Sequence, residues 1–219
     1  MQREITEIIE EFKLLGTSVV SDSMDSLGLK GCIKNIHSKS GCGHFCGTAF
    51  TVRYEPEDGN GGGLGSFVEQ VEPGQVVILD NYGRTDCTVW GGLTSTYAMH
   101  HGFAATVING VFRDSDAVRG LGYNIFAIGS CMSTGKGRTR CVEIGGRLCI
   151  SGVSINAGDI ILGDGDGVIC VPIELAEKVL SVAKEYEEAD LAVEKAVTNG
   201  MGLTEATVKF GRNKSSKLK

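Results

Sequence analysis

Between residues 74 and 128 the hydrophobic pattern changes period repeatedly, and few folds accommodate such a chain. Val76-Val77-Ile78-Leu79-Asp80 is a short, almost wholly apolar run, as a strand buried on both faces requires, and it leads into polar Asn81, Gly83 and Arg84. Trp90-Gly91-Gly92-Leu93 then opens a helix through Tyr97 and Ala98 towards His101, closed by Gly102. A second buried strand, Ala105-Thr106-Val107-Ile108, runs into Asn109-Gly110-Val111-Phe112-Arg113-Asp114. A helix from Ser115 to Leu121 and a strand at Ile125-Phe126-Ala127 complete a β-α-β-α-β alternation. That order implies a parallel sheet covered by helices, with ligands beyond the carboxyl ends of its strands.

The flanking segments fit one α/β domain. Ile5, Ile8, Ile9, Phe12 and Leu15 recur at helical spacing before Gly16, and a second helix, capped by Thr17 or Ser18, runs through Val20, Met24 and Leu27 to Gly28. Asp22 and Asp25 on it read as capping or solvated acids. Residues 47–54 form a strand, followed by the glycine-rich Asp58–Gly63 connector, which lacks the strand, spacing and lysine of a phosphate-cradling loop. Strand-like runs at Leu148–Ile150, Ile160–Leu162 and Val168–Val171 alternate with Gly-Asp turns. After Pro172 a long helix presents Leu175, Val179, Val182, Ala183 and Tyr186 on one face and should end near Asn199-Gly200. No repeat or linker divides the 219 residues, so the whole chain reads as a single domain with a core at about 17–200 and a basic tail at 201–219, whose last eleven residues read as solvated.

Composition removes several function classes. With 21 Lys+Arg against 27 Asp+Glu, the formal charge of -6 argues against a nucleic-acid partner, which needs a basic surface to displace phosphate counterions. The N-terminal MQREITEIIEEFKLL has no uninterrupted apolar stretch, so neither a membrane span nor a secretory signal is expected, and the protein reads as cytoplasmic. Eight irregularly spaced cysteines fit reduced thiols better than a disulfide framework. Cys42, His44 and Cys46 could hold zinc only with a fourth ligand from elsewhere, and a loop of small buried side chains is the simpler reading.

Chemistry concentrates in the loops after the two buried strands. One helix separates them, so Trp90–Leu93 and Asn109–Asp114 should lie on the same edge of the sheet and face one pocket. Glycines at a helix start let backbone N–H groups approach an anion, and the helix dipole adds favourable potential there. Arg113 can grip a carboxylate or enolate oxygen through its planar fork, and Asp114 can bind a hard divalent cation. Against this stands an ordinary surface Arg-Asp pair with Asp114 capping the next helix. His100 and His101 follow on the same helix, and Cys87 precedes it without a recognisable base.

The stretch TVWGGLTSTYAMHHGFAATVINGVFRDSDAVRGLGYNIFAIG resembles the central signature of the RraA-like family, which includes the 4-hydroxy-4-methyl-2-oxoglutarate/4-carboxy-4-hydroxy-2-oxoadipate aldolases. TSVVSDSMDSLGLKG, GTAFTVRYEP and VSINAGDIILGDGDGVICVP extend the likeness, in order, over roughly residues 17 to 200. The resemblance implies an α/β/α sandwich with a long C-terminal helix, assembled as a homotrimer or as a hexamer (a dimer of trimers) with sites at subunit interfaces. It implies a Mg²⁺ or Mn²⁺ cofactor and a small oxo-acid substrate, a 4-hydroxy-2-oxo acid cleaved to pyruvate plus an oxo acid, with oxaloacetate decarboxylation alongside. By position, Asp114 matches the metal ligand and Arg113 the arginine on the carbonyl or leaving oxygen. The backbone amides of Gly91, Gly92 and Leu93 match the loop that holds the pyruvate carboxylate. Glu188, with Glu187 and Asp190 close by, matches a carboxylate supplied from the C-terminal helix of a neighbouring subunit. Gly92 departs from the pattern, because the aldolases carry Asp or Glu there to hold metal-bound waters. Asp80 or Asp86 could compensate; otherwise weaker metal binding, or a different lyase reaction on a sugar acid or modified oxo acid, follows. The family also holds non-catalytic regulators of ribonuclease E, which tend to lose the Arg-Asp pair kept here.

Overall fold

The computed structural model describes residues 4–41, 43–57 and 67–212. Within them the helices are α1 (Ile5–Phe12), α2 (Thr17–Ser26), α3 (Gly92–His100), α4 (Ser115–Leu121), α5 (Ala176–Thr198) and α6 (Leu203–Phe210). The first six strands are β1 (Cys32–Ile33), β2 (His37–Ser40), β3 (Phe45–Pro56), β4 (Val76–Asp80), β5 (Ala105–Phe112) and β6 (Ile125–Ser130). The remaining strands are β7 (Thr139–Ile144), β8 (Leu148–Ile150), β9 (Val153–Ile155), β10 (Ile160–Asp164) and β11 (Gly167–Val171). The alternating stretch thus folds as read, with β5 running four residues beyond Ile108.

The main sheet has the order β1-β11-β10-β3-β4-β5-β6-β2, with β7 also on β3, and β8 and β9 form a separate hairpin. Only β3, β4, β5 and β6 pair in parallel, so the expected parallel sheet is one part of a mixed one. The length of β3 explains the join: Phe45–Thr48 pair antiparallel with β10, whereas Ala49–Arg53 pair parallel with β4. Alternate residues along the strands sort into three cores. Phe45, Val76, Ile78 and Phe126 meet Ile161, Val168 and Cys170 in an inner core, so the parallel and antiparallel parts of the sheet face one another. Val77, Leu79, Ile108 and Ala127 point outward against the α3/α4 side with Trp90, Ala98 and Val118. Cys46, Ile160, Leu162, Ile169 and Val171 point the other way, against Phe12, Val20 and Met24 and the Val179, Leu180 and Ala183 face of α5. Helices cover both outer faces of an α/β/α arrangement whose central layer is doubled.

Several local expectations are corrected by contacts between residues distant in sequence. Thr17 opens α2 but does not cap it with its own side chain; Asp164, at the end of β10, accepts hydrogen bonds from the Thr17 N–H and hydroxyl, both 2.7 Å. Burial would raise the Asp164 carboxyl, but these bonds and one from the Asp166 N–H outweigh it and hold it below the usual carboxylate range. Within residues 201–219, read as a basic tail, Leu203–Phe210 form α6, which packs on α5 while most of its side chains stay exposed. Arg212 just beyond it pairs with Asp190 and Asp22 and lies over the Tyr186 ring, so Asp22 is a solvent-exposed acid, as expected, that also has an ion-pair partner. The Asp58–Gly63 connector and Cys42 lie outside the described residues. Cys46 is buried, its thiol pushed up to about 12 by burial, and His44 Nε2 lies 2.7 Å from the Lys13 carbonyl. The seven described cysteines are all unpaired. Among the described residues no helix is long and apolar enough to cross a membrane.

Candidate active site

The carboxyl ends of β4, β5 and β6 open into a cavity of about 230 Å³. Residues 88–94 follow β4, Arg113 and Asp114 follow β5, and Thr134 follows β6; Phe67 and Val68 close another side. Thr88 stitches the three strand ends together, bridging both Val111 and Thr134, with its N–H on the Ser133 carbonyl at 3.0 Å.

The helix start inside this cavity is rigidly built. Trp90 is buried and donates from Nε1 to Ser95 Oγ at 2.9 Å, which fixes the residue ahead of the glycines. The Thr94 hydroxyl accepts from the Gly91 N–H and donates to the Gly91 carbonyl. Gly91 has an extended backbone (φ -160°) that any residue could adopt, so its conformation does not require glycine. Space does: a Cβ there would stand 2.9 Å from Asp114 Oδ2 and 3.2 Å from Arg113 Cγ. Gly92 is similarly confined, with a notional Cβ 3.3 Å from both Asp114 Cβ and Oδ2.

Arg113 and Asp114 therefore sit over the amino end of α3, as the loop argument requires. The Arg113 N–H is anchored on the Trp90 carbonyl at 3.1 Å. Asp114 is the first residue before α4 and takes a left-handed conformation (φ 62°, ψ 38°), which for a non-glycine residue costs about 1–3 kcal/mol, less for Asp than for most. That twist brings Asp114 Oδ2 to the Gly92 N–H at 2.9 Å, while Arg113 Nε stays 3.7 Å away, too far for a tight pair. Both side chains are about half exposed. The Gly92 amide is thus already engaged, so the amides expected to hold a substrate carboxylate reduce to those beyond it, starting at Leu93, whose side chain is exposed at the rim. Asp114 caps α3 through space rather than α4, on whose first turn it makes no side-chain bond.

Other expected residues stand elsewhere. Glu188 is exposed on α5, in the helical layer opposite α3 and α4, so one chain does not bring it to Arg113 and Asp114. Asp80 and Asp86 do not line the cavity: Asp80 accepts from Asn109 Nδ2 (2.7 Å) and the Tyr82 N–H, and Asp86 is held by both Nε and Nη2 of Arg84. His101 stacks on Tyr97 with ring centroids 3.8 Å apart, and burial raises the Cys87 thiol. Sequence reasoning missed Phe67, Val68, Thr88, Val89 and Thr134 as cavity walls, because isolated hydroxyls and apolar residues carry no signal of pocket position.

Fold and site together define a mixed α/β protein with a charged cavity at the carboxyl ends of its parallel strands. A family profile described as RraA-like, Aldolase/RraA, matches residues 17–170, and the chain belongs to that family. Over 203 residues it is 32% identical to a Halalkalibacterium halodurans protein named "Putative 4-hydroxy-4-methyl-2-oxoglutarate aldolase", covering 91% of this chain and 92% of that one. It is 29% identical over 202 residues to Protein DlpA of Legionella pneumophila, covering 91% of this chain but only 33% of DlpA, so it spans about a third of that relative. A crystal structure of a protein from Pseudomonas syringae pv. tomato superposes with a TM-score of 0.86 at 34% identity, covering 94% of this chain and 99% of that one.

Proposed function

We propose that the protein is a divalent-metal-dependent lyase that cleaves a 4-hydroxy-2-oxo acid to pyruvate and a second oxo compound, with oxaloacetate decarboxylation as a side activity. The observation that carries this reading is the placement of Arg113 and Asp114 side by side over the amino end of α3, in one cavity. The family description and the name of the Halalkalibacterium relative support the same chemistry.

The donor set suits a hard cation that keeps most of its water. Asp114 is the single carboxylate lining the cavity among the described residues, and its Oδ1 takes no hydrogen bond from them. Bound there, Mg²⁺ or Mn²⁺ would supply Lewis acidity towards the 2-oxo group of the substrate. Leu93 and the following N–H groups at the start of α3 would hold the adjacent carboxylate, favoured by the helix dipole. The Arg113 guanidinium would orient the 4-hydroxyl oxygen and stabilise negative charge as the C3–C4 bond breaks. No histidine or second carboxylate lines the cavity among the described residues, so the 4-hydroxyl proton would pass to water beside Arg113, and a proton from that water would return to C3 to complete pyruvate. We further propose a cytoplasmic homotrimer or dimer of trimers in which Glu188 serves a neighbouring copy.

The test is pyruvate release from oxaloacetate and from 4-hydroxy-4-methyl-2-oxoglutarate, with Mg²⁺, Mn²⁺ or a chelator. Asp114→Asn is the informative variant, because asparagine tolerates the left-handed backbone and removes only the charge. Metal-dependent release abolished by Asp114→Asn is the expected result. Equal turnover in the variant would refute the assignment. Metal binding without release would favour a different lyase reaction, and no metal binding would favour a regulator.

A further inference from the structure

We infer that the protein carries a second small-molecule site, for a zwitterionic α-amino acid, on the inner face of the same sheet edge. The inference does not rest on the lyase reading.

Along β3, β4 and β5 the alternate residues Ala49, Val76, Ile78, Ala105 and Val107 face the inner core. The same alternation carries these rows on to Arg53, Asp80 and Asn109, three polar residues in adjacent register at the carboxyl ends of the strands. Arg113 and Asp114 lie at this edge on the opposite face, beside α3. On the inner face a separate cavity of about 280 Å³ is lined by Arg53, Asp80, Tyr82, Arg147, Leu148 and Cys149.

Two opposite charges in this cavity are left to a ligand. Asp80 is only 4% exposed. Its Oδ1 accepts from Asn109 Nδ2 at 2.7 Å and from the Tyr82 N–H at 3.0 Å, whereas Oδ2 takes no hydrogen bond from the described residues. A carboxylate buried to this degree is stabilised by a cation or strong donor on its open oxygen. Arg147 supplies the other charge. It is exposed, but the turn before it is pinned on β3: the Gly145 N–H donates to the Thr51 carbonyl at 2.8 Å, and the Thr51 hydroxyl donates to the Gly146 carbonyl at 2.7 Å. Arg147 Nε donates to Ser154 Oγ at 2.7 Å, which leaves both Nη groups without a partner among the described residues. Arg53 is already neutralised by Glu143, 2.6 Å from its Nη2. A ligand bearing both a carboxylate and an ammonium group matches Arg147 and Asp80 together, whereas a plain anion would also face Asp80 and a plain cation Arg147. Tyr82 adds an independent sign. Its φ of 53° is rare for a bulky residue, its N–H is held there by Asp80, and it is 57% exposed; strain of this kind collects at ligand sites. Tyr82 and Leu148 give an apolar wall for a short side chain.

The experiment is isothermal titration of the full-length protein, without added metal, with L-valine and L-leucine. Isovalerate and isobutylamine, which each lack one of the two charges of valine, are titrated beside them. At least one amino acid should bind, and both single-charge analogues should bind about tenfold or more weakly. Arg147→Gln and Asp80→Asn should each weaken binding by about tenfold or more, and urea denaturation shows whether each variant is folded. Asp114→Asn should bind as the wild type does. No binding of either amino acid at about 10 mM overturns the inference. So does isovalerate that binds as tightly as valine, or undiminished binding by Arg147→Gln. Binding lost in Asp114→Asn overturns it as well, because the ligand would then occupy the cavity beside α3.

Discussion

Replacing Gly91 by alanine separates the requirements of catalysis from those of folding. The backbone at Gly91 is extended, so alanine costs nothing in conformation, and the effect must come from the added methyl group. That Cβ would stand 2.9 Å from Asp114 Oδ2, 3.2 Å from Arg113 Cγ and 3.3 Å from Arg113 Nε. Ordinary contact requires the carboxylate to withdraw by about 0.5 Å, lengthening its bond to the Gly92 N–H, and Arg113 must turn away as well. Displacements of this order at reacting groups lower kcat/KM by about ten- to a hundredfold, or about 1.4–2.7 kcal/mol in transition-state stabilisation. Because both displaced side chains are half exposed, urea denaturation should show a stability change under about 1 kcal/mol. Pyruvate release and metal affinity, measured beside the denaturation curve, decide the matter. Activity within twofold of wild type at unchanged metal affinity would refute the reasoning, and so would a large loss of stability. Gly47→Ala is the counterpart: its Cβ would lie 2.0 Å from the Gly74 carbonyl oxygen, so the expected loss, about 1–3 kcal/mol, is of stability alone.

Asp164→Ala should cost about 1–2 kcal/mol in urea denaturation, because it removes the remote cap of α2. The wild-type carboxyl is held below its unfolded value, so its stabilisation is full above that value, about 3.9, and is lost as pH falls through the lower folded one; Asp164→Asn should blunt this acid sensitivity. Arg212→Ala should speed amide hydrogen exchange in α6 while changing global stability by less than about 1 kcal/mol, since the guanidinium is partly exposed; unchanged exchange would show that α6 is held by other contacts.

The alternating centre of the chain was legible because each element there declares itself locally. The apolar run of β4 and the Ser115–Leu121 helix needed no distant partner to be recognised, and their bounds match. So did the meeting of Arg113 and Asp114 with Gly91 and Gly92, which follows from two loops leaving the same sheet edge. What escaped depended on distant partners. β2 is a polar run, His37–Ser40, that becomes a strand only by pairing with β6, and β3 has two sets of neighbours that no periodicity announces. The cap on Thr17 comes from 147 residues away and the Asp22 partner from 190. The engagement of the Gly92 amide by Asp114 was hidden for another reason: it follows from a backbone twist at one residue, which sequence pattern does not encode.

That twist has an evolutionary corollary. The left-handed conformation at Asp114 is one that asparagine and glycine accept at least as readily as aspartate, and both are reached from an aspartate codon by a single base change. Position 114 can therefore lose its carboxylate in one mutation without disturbing the chain path from β5 into α4. On the proposed lyase reading, a lineage carrying this scaffold could lose the reaction in one step while keeping its chain path, and recover it by the reverse step.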